Sequence, residues 1–264
     1  MKLNLKSAQK FAEGLAKKAG KFLMENQDKI KIIQYKDRQD ICTNIDLAVE
    51  KIVLDAIQKK YPSHNIFSEE KGLINKKSPY TWIVDPLDGT KEYLRKIPSI
   101  NTTLSLWENK EILLGVVYLP IEKELYSAAK NRGAFLNNKK ISVSKENKLA
   151  NSILYSYLPN YKLSIQKFKV LWNNLGKLIR KSYRLRGAFQ SVTSLCWVAA
   201  GKCEGFTTYQ QKLWDVAAGI LMVQEAGGKI TDTKGDPVKI KNNEVESIIA
   251  LNAKIHNQIL KTIN

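Results

Sequence analysis

A chain of 264 residues, 44% of them hydrophobic, is long enough to enclose a sizeable core in one large domain or two tightly joined halves. It lacks the run of about 18 apolar residues that a transmembrane helix needs, and its start lacks the apolar core of a secretory signal. The three cysteines have no metal or redox spacing, so free thiols and a cytoplasmic location are expected.

The formal net charge is +18, from 43 Lys and Arg against 25 Asp and Glu. A charge of this sign attracts nucleic acid, membrane surfaces or small polyanions. The lysines are spread along the whole chain instead of forming one cluster, which is typical of an ordinary solvated surface. Steering of a multiply charged anionic substrate is the alternative, and no nucleic-acid partner is expected.

Apolar spacing predicts helices at residues 7–26 and 44–60 in the first part of the chain. Thr43 and Asp46 have the spacing of a capping box at the start of the second helix. Strands are predicted next, and the short polar turns between the last three of them predict an antiparallel meander. These strands are residues 80–84, 102–107, 112–119 and 124–128.

After about residue 140 the pattern changes to short strands that alternate with helices. The segregation of the two patterns is typical of an α+β arrangement. We therefore expect one compact unit of two halves, residues 1–140 with a helix pair and an antiparallel sheet, and residues 141–264 with an α/β pattern. The strands predicted in the second half are 141–144, 152–157 and 246–251, and the helices are 163–179, 189–201 and 214–226.

The most informative segment follows the strand predicted to end at residue 84. Asp85 and Asp88 are presented together there, because Pro86 is expected to stop strand pairing and Gly89 to permit a tight turn. Convergent carboxylates hold hard divalent cations such as Mg²⁺. The backbone N–H groups and the hydroxyl of Thr90 suit a phosphate oxygen. The segment predicts a metal-dependent phosphatase.

Other acidic residues have simple structural explanations when each is considered alone. Glu69 and Glu70 follow a short apolar segment, and glutamates at the end of a strand are usually solvated. Asp46 and Asp215 lie at helix starts, where an aspartate is usually a cap or a partner of the helix dipole.

Taken together, the four segments resemble the inositol monophosphatase superfamily of Mg²⁺-dependent, lithium-sensitive phosphatases. The order and spacing of the motifs carry the resemblance, which extends from about residue 8 to residue 252. It implies a layered αβαβα sandwich of the α+β class. The motifs are Asp85-Pro86-Leu87-Asp88-Gly89-Thr90, Glu69-Glu70, Trp214-Asp215-Val216-Ala217-Ala218-Gly219 followed by Glu225-Ala226-Gly227-Gly228, and Thr43-Asn44-Ile45-Asp46 with Glu50.

The resemblance implies that two or three Mg²⁺ ions bind between these motifs. One ion is expected to bind Glu69, Asp85 and the backbone carbonyl of Leu87. A second ion is expected to bind Asp85, Asp88 and Asp215. Oxygen ligands of this kind suit Mg²⁺, and the cation lowers the pKa of the water that attacks the phosphate.

The resemblance also implies a role for several other residues. Thr90, hydrogen-bonded to Asp46, is expected to orient and help deprotonate the attacking water, and Glu69 is the third residue expected to be catalytic. The N–H groups of Gly89 and Thr90 are expected to bind the phosphate. Further contacts to the phosphate or the substrate are expected from Lys36, Lys91 and Asp215, with an ordinary surface position as the alternative for Lys36.

Two features bear on the substrate. Lys91-Glu92-Tyr93 is similar to the 3′(2′),5′-bisphosphate nucleotidases, which convert adenosine 3′,5′-bisphosphate to AMP, although exposed first-turn residues would explain it equally simply. Inositol-type enzymes have an acidic residue some seven positions before the aspartate of the Trp-Asp motif, and residues 206–212 contain none. Phe189 or Tyr209 would stack on a base, with core packing as the alternative.

Adenosine 3′,5′-bisphosphate is therefore the expected substrate, with inositol 1-phosphate or a sugar phosphate as the alternative. From a different class, a basic nucleic-acid-binding protein on an inactive phosphatase scaffold is the competing interpretation. A homodimer is possible because many members of the resembled family form one, and no feature of the sequence itself indicates the oligomeric state. His64 and His256 lie away from every motif, so surface or packing roles are expected for them.

Overall fold

The structure is a computed structural model that describes residues 3–109 and 111–263. The helices are α1 (Leu5–Asn26), α2 (Asn44–Lys60), α3 (Thr90–Leu94), α4 (Ile165–Lys181), α5 (Ser191–Ala199), α6 (Ala217–Glu225) and α7 (His256–Ile263). The strands of the first half are β1 (Ile32–Asp37), β2 (Asp40–Thr43), β3 (Asn65–Ser68), β4 (Gly72–Ile74), β5 (Tyr80–Asp88), β6 (Asn101–Glu108), β7 (Glu111–Leu119), β8 (Glu124–Ala129), β9 (Gly133–Leu136) and β10 (Lys139–Ile141). Those of the second half are β11 (Ile153–Ser156), β12 (Arg184–Gly187), β13 (Gly205–Lys212), β14 (Lys229–Thr231), β15 (Ile240–Lys241) and β16 (Glu244–Leu251).

The larger sheet has eight strands in the order β10-β9-β8-β7-β6-β5-β3-β4. Its pairs are antiparallel except for β3, which runs parallel to β5. The predicted meander is confirmed, since β6, β7 and β8 pair in sequence order. A second sheet has the order β12-β11-β13-β16-β14, with β15 paired to β16, and β1 and β2 form a separate hairpin.

The helices and the two sheets form five layers. α1 and α2 pack on the outer face of the larger sheet, and α5 and α6 lie between the two sheets. α4 and α7 cover the outer face of the second sheet, where Leu178 and Ile259 pack against Ile249. The predicted αβαβα sandwich is confirmed.

Four apolar clusters of the described residues fill the spaces between these layers. The first joins α1 and α2 to the larger sheet through residues such as Leu23, Val53 and Trp82. The second lies between the sheets and joins Val117 of the first half to Phe206 of the second. Because this cluster draws on both halves, they are packed as one body. The division into residues 1–140 and 141–264 stays a prediction.

The course of β5 corrects the sequence analysis. Pro86 was expected to stop strand pairing, which it does only locally, whereas the strand predicted to end at residue 84 continues to Asp88. The pairing with β6 is interrupted between Asp85 and Asp88 and then resumes. Pro86 lies in this irregularity, where its missing N–H breaks no ladder bond, and its carbonyl accepts a hydrogen bond from Thr102 at 2.8 Å.

Other boundaries differ more modestly from the predicted ones. The strand predicted at 141–144 ends at Ile141 as β10, and α6 begins at Ala217 instead of residue 214. β13 was not predicted, because its central residues Thr207 to Gln211 are polar and do not alternate cleanly.

The expectations for cysteine and histidine are confirmed. Cys42, Cys196 and Cys203 are buried free thiols. His64 stacks on the rings of Tyr61 and Tyr80, with centroids 4.8 Å and 4.9 Å away, and the buried His256 contacts the Thr231 hydroxyl at 2.8 Å. Within the described ranges no helix is long and apolar enough to cross a membrane.

The contact between β7 and α6 yields a test of the packing. A Cβ atom on Gly115 would lie 2.8 Å from both Cα and the carbonyl oxygen of Ala218. We therefore expect Gly115→Ala to push α6 away from the sheet and to lower the free energy of unfolding by about 1–3 kcal/mol. The measurement is chemical denaturation of wild type and variant.

Gly14→Ala is the matched control. Gly14 is exposed within α1 and a Cβ atom there would meet nothing within 4 Å, so alanine should be neutral or stabilise by up to about 1 kcal/mol. Equal midpoints for the two variants would contradict the packing described here.

Candidate active site

The predicted acidic residues come from four elements that end at the same place. Asp46 lies in the first turn of α2, Glu69 follows β3, and Asp85 and Asp88 lie in the last residues of β5. Asp215 immediately precedes α6 and approaches from the other half of the chain. The side chains are near enough that Glu69, Asp88, Asp215 and Asp46 all raise the pKa of Asp85. The structure therefore brings together all the acidic residues predicted to bind metal.

Burial and mutual repulsion make these carboxylates hard to ionise together. Burial is the main cause that raises the pKa of Asp85 and of Asp215 well above the usual value, and neighbouring carboxylates add to it. Burial also raises the pKa of Glu69 and of Asp88 to about 7, although Lys36 opposes the shift at Glu69 and Asn101 opposes it at Asp88. A cation among them would remove the repulsion.

Asp85 supplies the observation that tests whether these residues fit a metal ion. Its side chain is buried, and its Oδ1 atom has no hydrogen-bond partner among the described residues. A buried carboxylate oxygen without a partner is costly unless a cation or a donor satisfies it. The donor set of carboxylates and one backbone carbonyl is the chemistry that Mg²⁺ prefers. The residues present fit the ion.

Within the described residues, no three acidic, histidine or cysteine side chains already converge as the ligands of a bound metal do. Two of the expected ligands are engaged by other groups. The Lys36 ammonium contacts Glu69 at 2.8 Å, and the Asn101 amide donates to Asp88 Oδ2 at 2.8 Å.

Lys36 lies within this acidic site and not at an ordinary surface position. Its ammonium contacts Glu70 at 2.6 Å as well as Glu69, and only about a quarter of its side chain is exposed. Burial lowers the pKa of Lys36, but the two glutamates outweigh burial and raise it above its usual range. The segment after β3 is fixed in turn by the buried Glu50, whose Oε1 accepts the N–H groups of Glu70 and Lys71.

Asp46 and Thr90 form a hydrogen-bonded pair beside the carboxylates. The Thr90 hydroxyl donates to Asp46 Oδ1 at 2.7 Å. The other oxygen, Oδ2, accepts the Thr43 N–H at 2.9 Å and a short bond from the Thr43 hydroxyl, so the predicted capping box is confirmed. The cap thus holds Asp46 in one orientation. Because the Thr90 proton points at Asp46, the hydroxyl oxygen remains free to accept a hydrogen bond.

Gly89 makes the turn that connects β5 to α3. Its φ of 96° is in the left-handed region, where side chains are rarely tolerated. A Cβ atom would also lie 2.7 Å from the Ser99 carbonyl and 2.8 Å from the side-chain nitrogen of Gln190. Gln190 and Ser99 are joined by two hydrogen bonds of 2.7 Å and 2.9 Å. This clip encloses the turn from outside.

The Lys91-Glu92-Tyr93 tripeptide does not form one substrate-binding surface. Tyr93 is a core residue whose hydroxyl donates to the Leu23 carbonyl at 2.5 Å. The Lys91 ammonium makes a short hydrogen bond to the Gln39 carbonyl in the turn between β1 and β2. Lys91 therefore ties the β1–β2 hairpin to the active-site helix α3.

Residues of the β1–β2 hairpin and of the segment after β11 meet near the site. The Arg38 guanidinium lies over the Tyr161 ring at 5.5 Å from its centroid, and Asp37 pairs with Lys162 at 2.6 Å. Tyr157 is near enough to the site that Asp88 and Asp215, after burial, raise its pKa to about 12. Of the two rings expected to stack on a base, Phe189 is 57% exposed, whereas burial raises the pKa of Tyr209 to about 12.

Sequence reasoning missed Asn101, Gln190 and Tyr157. Asn101 begins β6, where Thr102 and Thr103 are also polar, so no contrast in the sequence marks it. Gln190 and Tyr157 carry no signal either, because their contacts join segments far apart in the sequence.

Comparison with known proteins agrees with this geometry. The sequence profile of the inositol monophosphatase family matches residues 4–264. The Nus factor SuhB of Pasteurella multocida is 33% identical to this chain over 223 residues, 83% of each protein. A fructose-1,6-bisphosphatase/inositol-1-monophosphatase of Aquifex aeolicus is 32% identical and covers 98% of this chain and 96% of its own length. The crystal structure of the extragenic suppressor protein suhB from Bartonella henselae has a TM-score of 0.90 at 29% identity and covers 98% of both chains.

The raised pKa values predict how stability depends on pH and Mg²⁺. Glu69 and Asp88 have a pKa of about 7 in the folded protein, against about 4 when unfolded. Their protonation therefore stabilises the metal-free fold fully below about pH 4, and this contribution is lost as the pH rises through 7. Because Mg²⁺ competes with these protons, its addition should raise the melting temperature more at about pH 8 than at about pH 5.

Asp88→Asn should flatten this pH dependence and reduce the Mg²⁺-induced shift, since one of the repelling carboxylates is gone. Asp55→Asn, at an exposed position of α2, is the control and should behave as wild type. Thermal melts with and without Mg²⁺ measure both effects, and an undiminished Mg²⁺ shift in Asp88→Asn would contradict the assignment.

Proposed function

Because the chain belongs to the inositol monophosphatase family, we propose that it is a Mg²⁺-dependent phosphomonoesterase whose preferred substrate is adenosine 3′,5′-bisphosphate. One observation carries the proposal of catalysis. The buried Asp85 oxygen without a partner lies among acidic side chains that, after burial itself, raise the pKa of Asp85, and the Thr90–Asp46 pair lies beside them.

The residues that would hold Mg²⁺ are those at which the repulsion is concentrated. Glu69, Asp85 and the Leu87 carbonyl would hold one ion, and Asp85, Asp88 and Asp215 would hold a second. The Leu87 carbonyl lies 3.4 Å from the Thr90 hydroxyl, which places it beside the proposed nucleophile site. When bound, Mg²⁺ supplies positive charge that neutralises the phosphate and lowers the pKa of water.

Thr90 and Asp46 would orient the attacking water. Because the Thr90 hydroxyl donates its proton to Asp46, its oxygen can accept a hydrogen bond from the water and align it with the phosphorus atom. The Thr43 cap prevents Asp46 from turning away. Glu69 is the third proposed catalytic group, because it would help to hold the ion that lowers the pKa of the attacking water.

The turn at Gly89 would bind the phosphate through the backbone N–H groups of Gly89 and Thr90. Substitution of Gly89 would both strain the turn and collide with the Gln190–Ser99 clip. Lys36 would release its glutamates and contribute positive charge near the phosphate when the cation is bound. Asp215 and Lys91 complete the proposed substrate contacts.

Charges and rings near the site support a substrate with a base and a second phosphate. Arg38 makes no ion pair with an acid of the described residues, and Tyr161 and Phe189 present rings that are 46% and 57% exposed. Cations favour a second phosphate and exposed rings favour a planar base. Position 208, seven residues before Asp215, is a buried threonine and supplies no acid for a sugar hydroxyl.

Inositol 1-phosphate is the second candidate, and the relatives favour it. The Aquifex aeolicus relative is named for inositol-1-monophosphatase and fructose-1,6-bisphosphatase activities. The structural roles of Lys91 and Tyr93 also remove part of the sequence argument for a nucleotide. A cytoplasmic location belongs to the same proposal, because the three cysteines are free thiols. A homodimer stays a prediction.

Phosphate release tests the proposal when both substrates are assayed in parallel with Mg²⁺. We expect release that depends on Mg²⁺, is inhibited by Li⁺, and has the higher kcat/KM for adenosine 3′,5′-bisphosphate. A higher kcat/KM for inositol 1-phosphate would reject the nucleotide and leave the phosphatase assignment in place. Release from neither, or release unchanged by a chelator, would count against the metal-dependent phosphatase itself.

A further inference from the structure

Acidic residues are distributed unevenly along the chain, although the basic ones are not. Residues 147–203 contain no Asp or Glu, and this stretch of 57 residues carries ten Lys and Arg. Acids elsewhere neutralise part of the net charge, but this segment has no acid of its own. It includes β11, α4, β12 and α5; of these, α4 covers the outer face of the second sheet and β12 is an edge strand of that sheet.

α4 has two different faces. The inner face is apolar and packs toward the second sheet and α7 through residues such as Leu171, Leu175 and Leu178. On a solvent-exposed flank next to this face, Ile165, Trp172 and Ile179 are 61%, 56% and 59% exposed. Their seven-residue spacing is two helical turns, so they form one apolar ridge along the outside of the helix.

The ridge is ordered and bordered by positive charge. Phe168 stacks on Trp172 with ring centroids 6.1 Å apart and an interplanar angle of 6°, which holds the indole on the surface. Lys169 and Arg180 are three turns apart along a line beside the ridge. We define the α4 outer face as Ile165, Lys169, Trp172, Ile179 and Arg180.

The cations of this face are available to a partner. Lys169 and Arg180 make no ion pair with any acid of the described residues, in contrast to Lys162 and Lys167, which pair with Asp37 and Glu246. The neighbouring cations Lys181, Arg184 and Arg186 are also without an acidic partner within residues 3–109 and 111–263. Positive charge that the protein leaves uncompensated is complementary to an anionic surface.

We propose that the α4 outer face docks on an anionic phospholipid surface. An amphipathic helix with a Trp and branched aliphatic residues on one line, and basic residues beside that line, lies in a membrane interface with its apolar side chains among the lipids. Lys and Arg can bury their methylene stems there and keep the charge at the headgroups. No acid lies within these 57 residues, and the exposed acid Glu246 beside α4 is paired with Lys167, so little negative charge opposes an anionic lipid surface.

Two other occupants fit this face less well. A second copy of the chain would bring the same uncompensated cations together, so like charges oppose self-association through this face. Nucleic acid would use the cations and the Trp172 ring, but it offers nothing to Ile165 and Ile179, which are aliphatic and more than half exposed. An acyl interior accommodates them, and this difference favours lipid.

Vesicle co-sedimentation of the full chain tests the proposal. The probes are vesicles of phosphatidylcholine alone and vesicles that contain phosphatidylglycerol as well. We expect binding to the anionic vesicles to be at least about tenfold tighter than to the neutral ones, since each basic residue near the surface contributes about fivefold. Lys169→Glu with Arg180→Glu should then weaken binding about 25-fold or more, and Trp172→Ser with Ile179→Ser should weaken it about tenfold or more.

Matched controls separate this face from net charge and from folding. Lys59→Glu with Lys60→Glu changes the net charge equally at exposed positions of α2 and should leave vesicle binding within about threefold of wild type. Leu73→Ser removes a 58% exposed apolar residue from β4 and should have no effect. Phosphate release and thermal melting of every variant confirm that the fold is intact.

Three outcomes would overturn the proposal. The first is wild-type binding that is absent or equal for neutral and anionic vesicles. The second is a loss of binding in the α2 control as large as in the α4 variants. The third is binding of single-stranded RNA but not vesicles, lost in the α4 variants, which would assign the face to nucleic acid instead.

Discussion

Repulsion among buried carboxylates is the constraint on which the rest of this structure depends. Burial raises the pKa of Asp85 and of Asp215, and the neighbouring carboxylates Glu69 and Asp88 raise both further. No sequence would concentrate negative charge in this way for stability alone, because each ionised group costs several kcal/mol to bury without a partner. Packing of the core elsewhere must offset this cost of burial. A bound cation would reduce the cost by neutralising the carboxylates.

The architecture makes this concentration of charge possible by holding each carboxylate from a different rigid element. β5 lies inside the larger sheet between β6 and β3, so its last residues cannot swing apart. α6 packs against β7 at Gly115, and this contact sets the distance between the two halves. Lys36 forms an ion pair with Glu69, and the Asn101 amide donates a hydrogen bond to Asp88. The same β1–β2 hairpin that carries Lys36 is tied to α3 by Lys91.

The acidic residues of the candidate site and the fold could be predicted from the sequence because both depend on short local patterns. Asp85 to Thr90 and the Thr43 cap are contiguous motifs, and the helices follow from apolar spacing. The clip between Gln190 and Ser99 and the bridge from Lys36 to both glutamates join distant segments, so no local pattern could indicate them. Lys91-Glu92-Tyr93 was interpreted as a substrate signature, whereas tertiary packing assigns Tyr93 to the core. The net charge was interpreted from the distribution of the lysines, which is even. The more informative feature is the segment 147–203, which contains no Asp or Glu.

Calorimetric titration of Mg²⁺ into wild type and Asp85→Asn, with turnover measured on the same samples, tests the central claim most directly. The substitution keeps the shape of the side chain and removes the charge that both proposed ions share. If these carboxylates form a catalytic metal site, Asp85→Asn should lose Mg²⁺ binding and phosphate release together and should melt no earlier than wild type without metal. Asp236→Asn, at an exposed position, should change neither. An Asp85→Asn protein that still binds Mg²⁺ and releases phosphate at the wild-type rate would contradict the account.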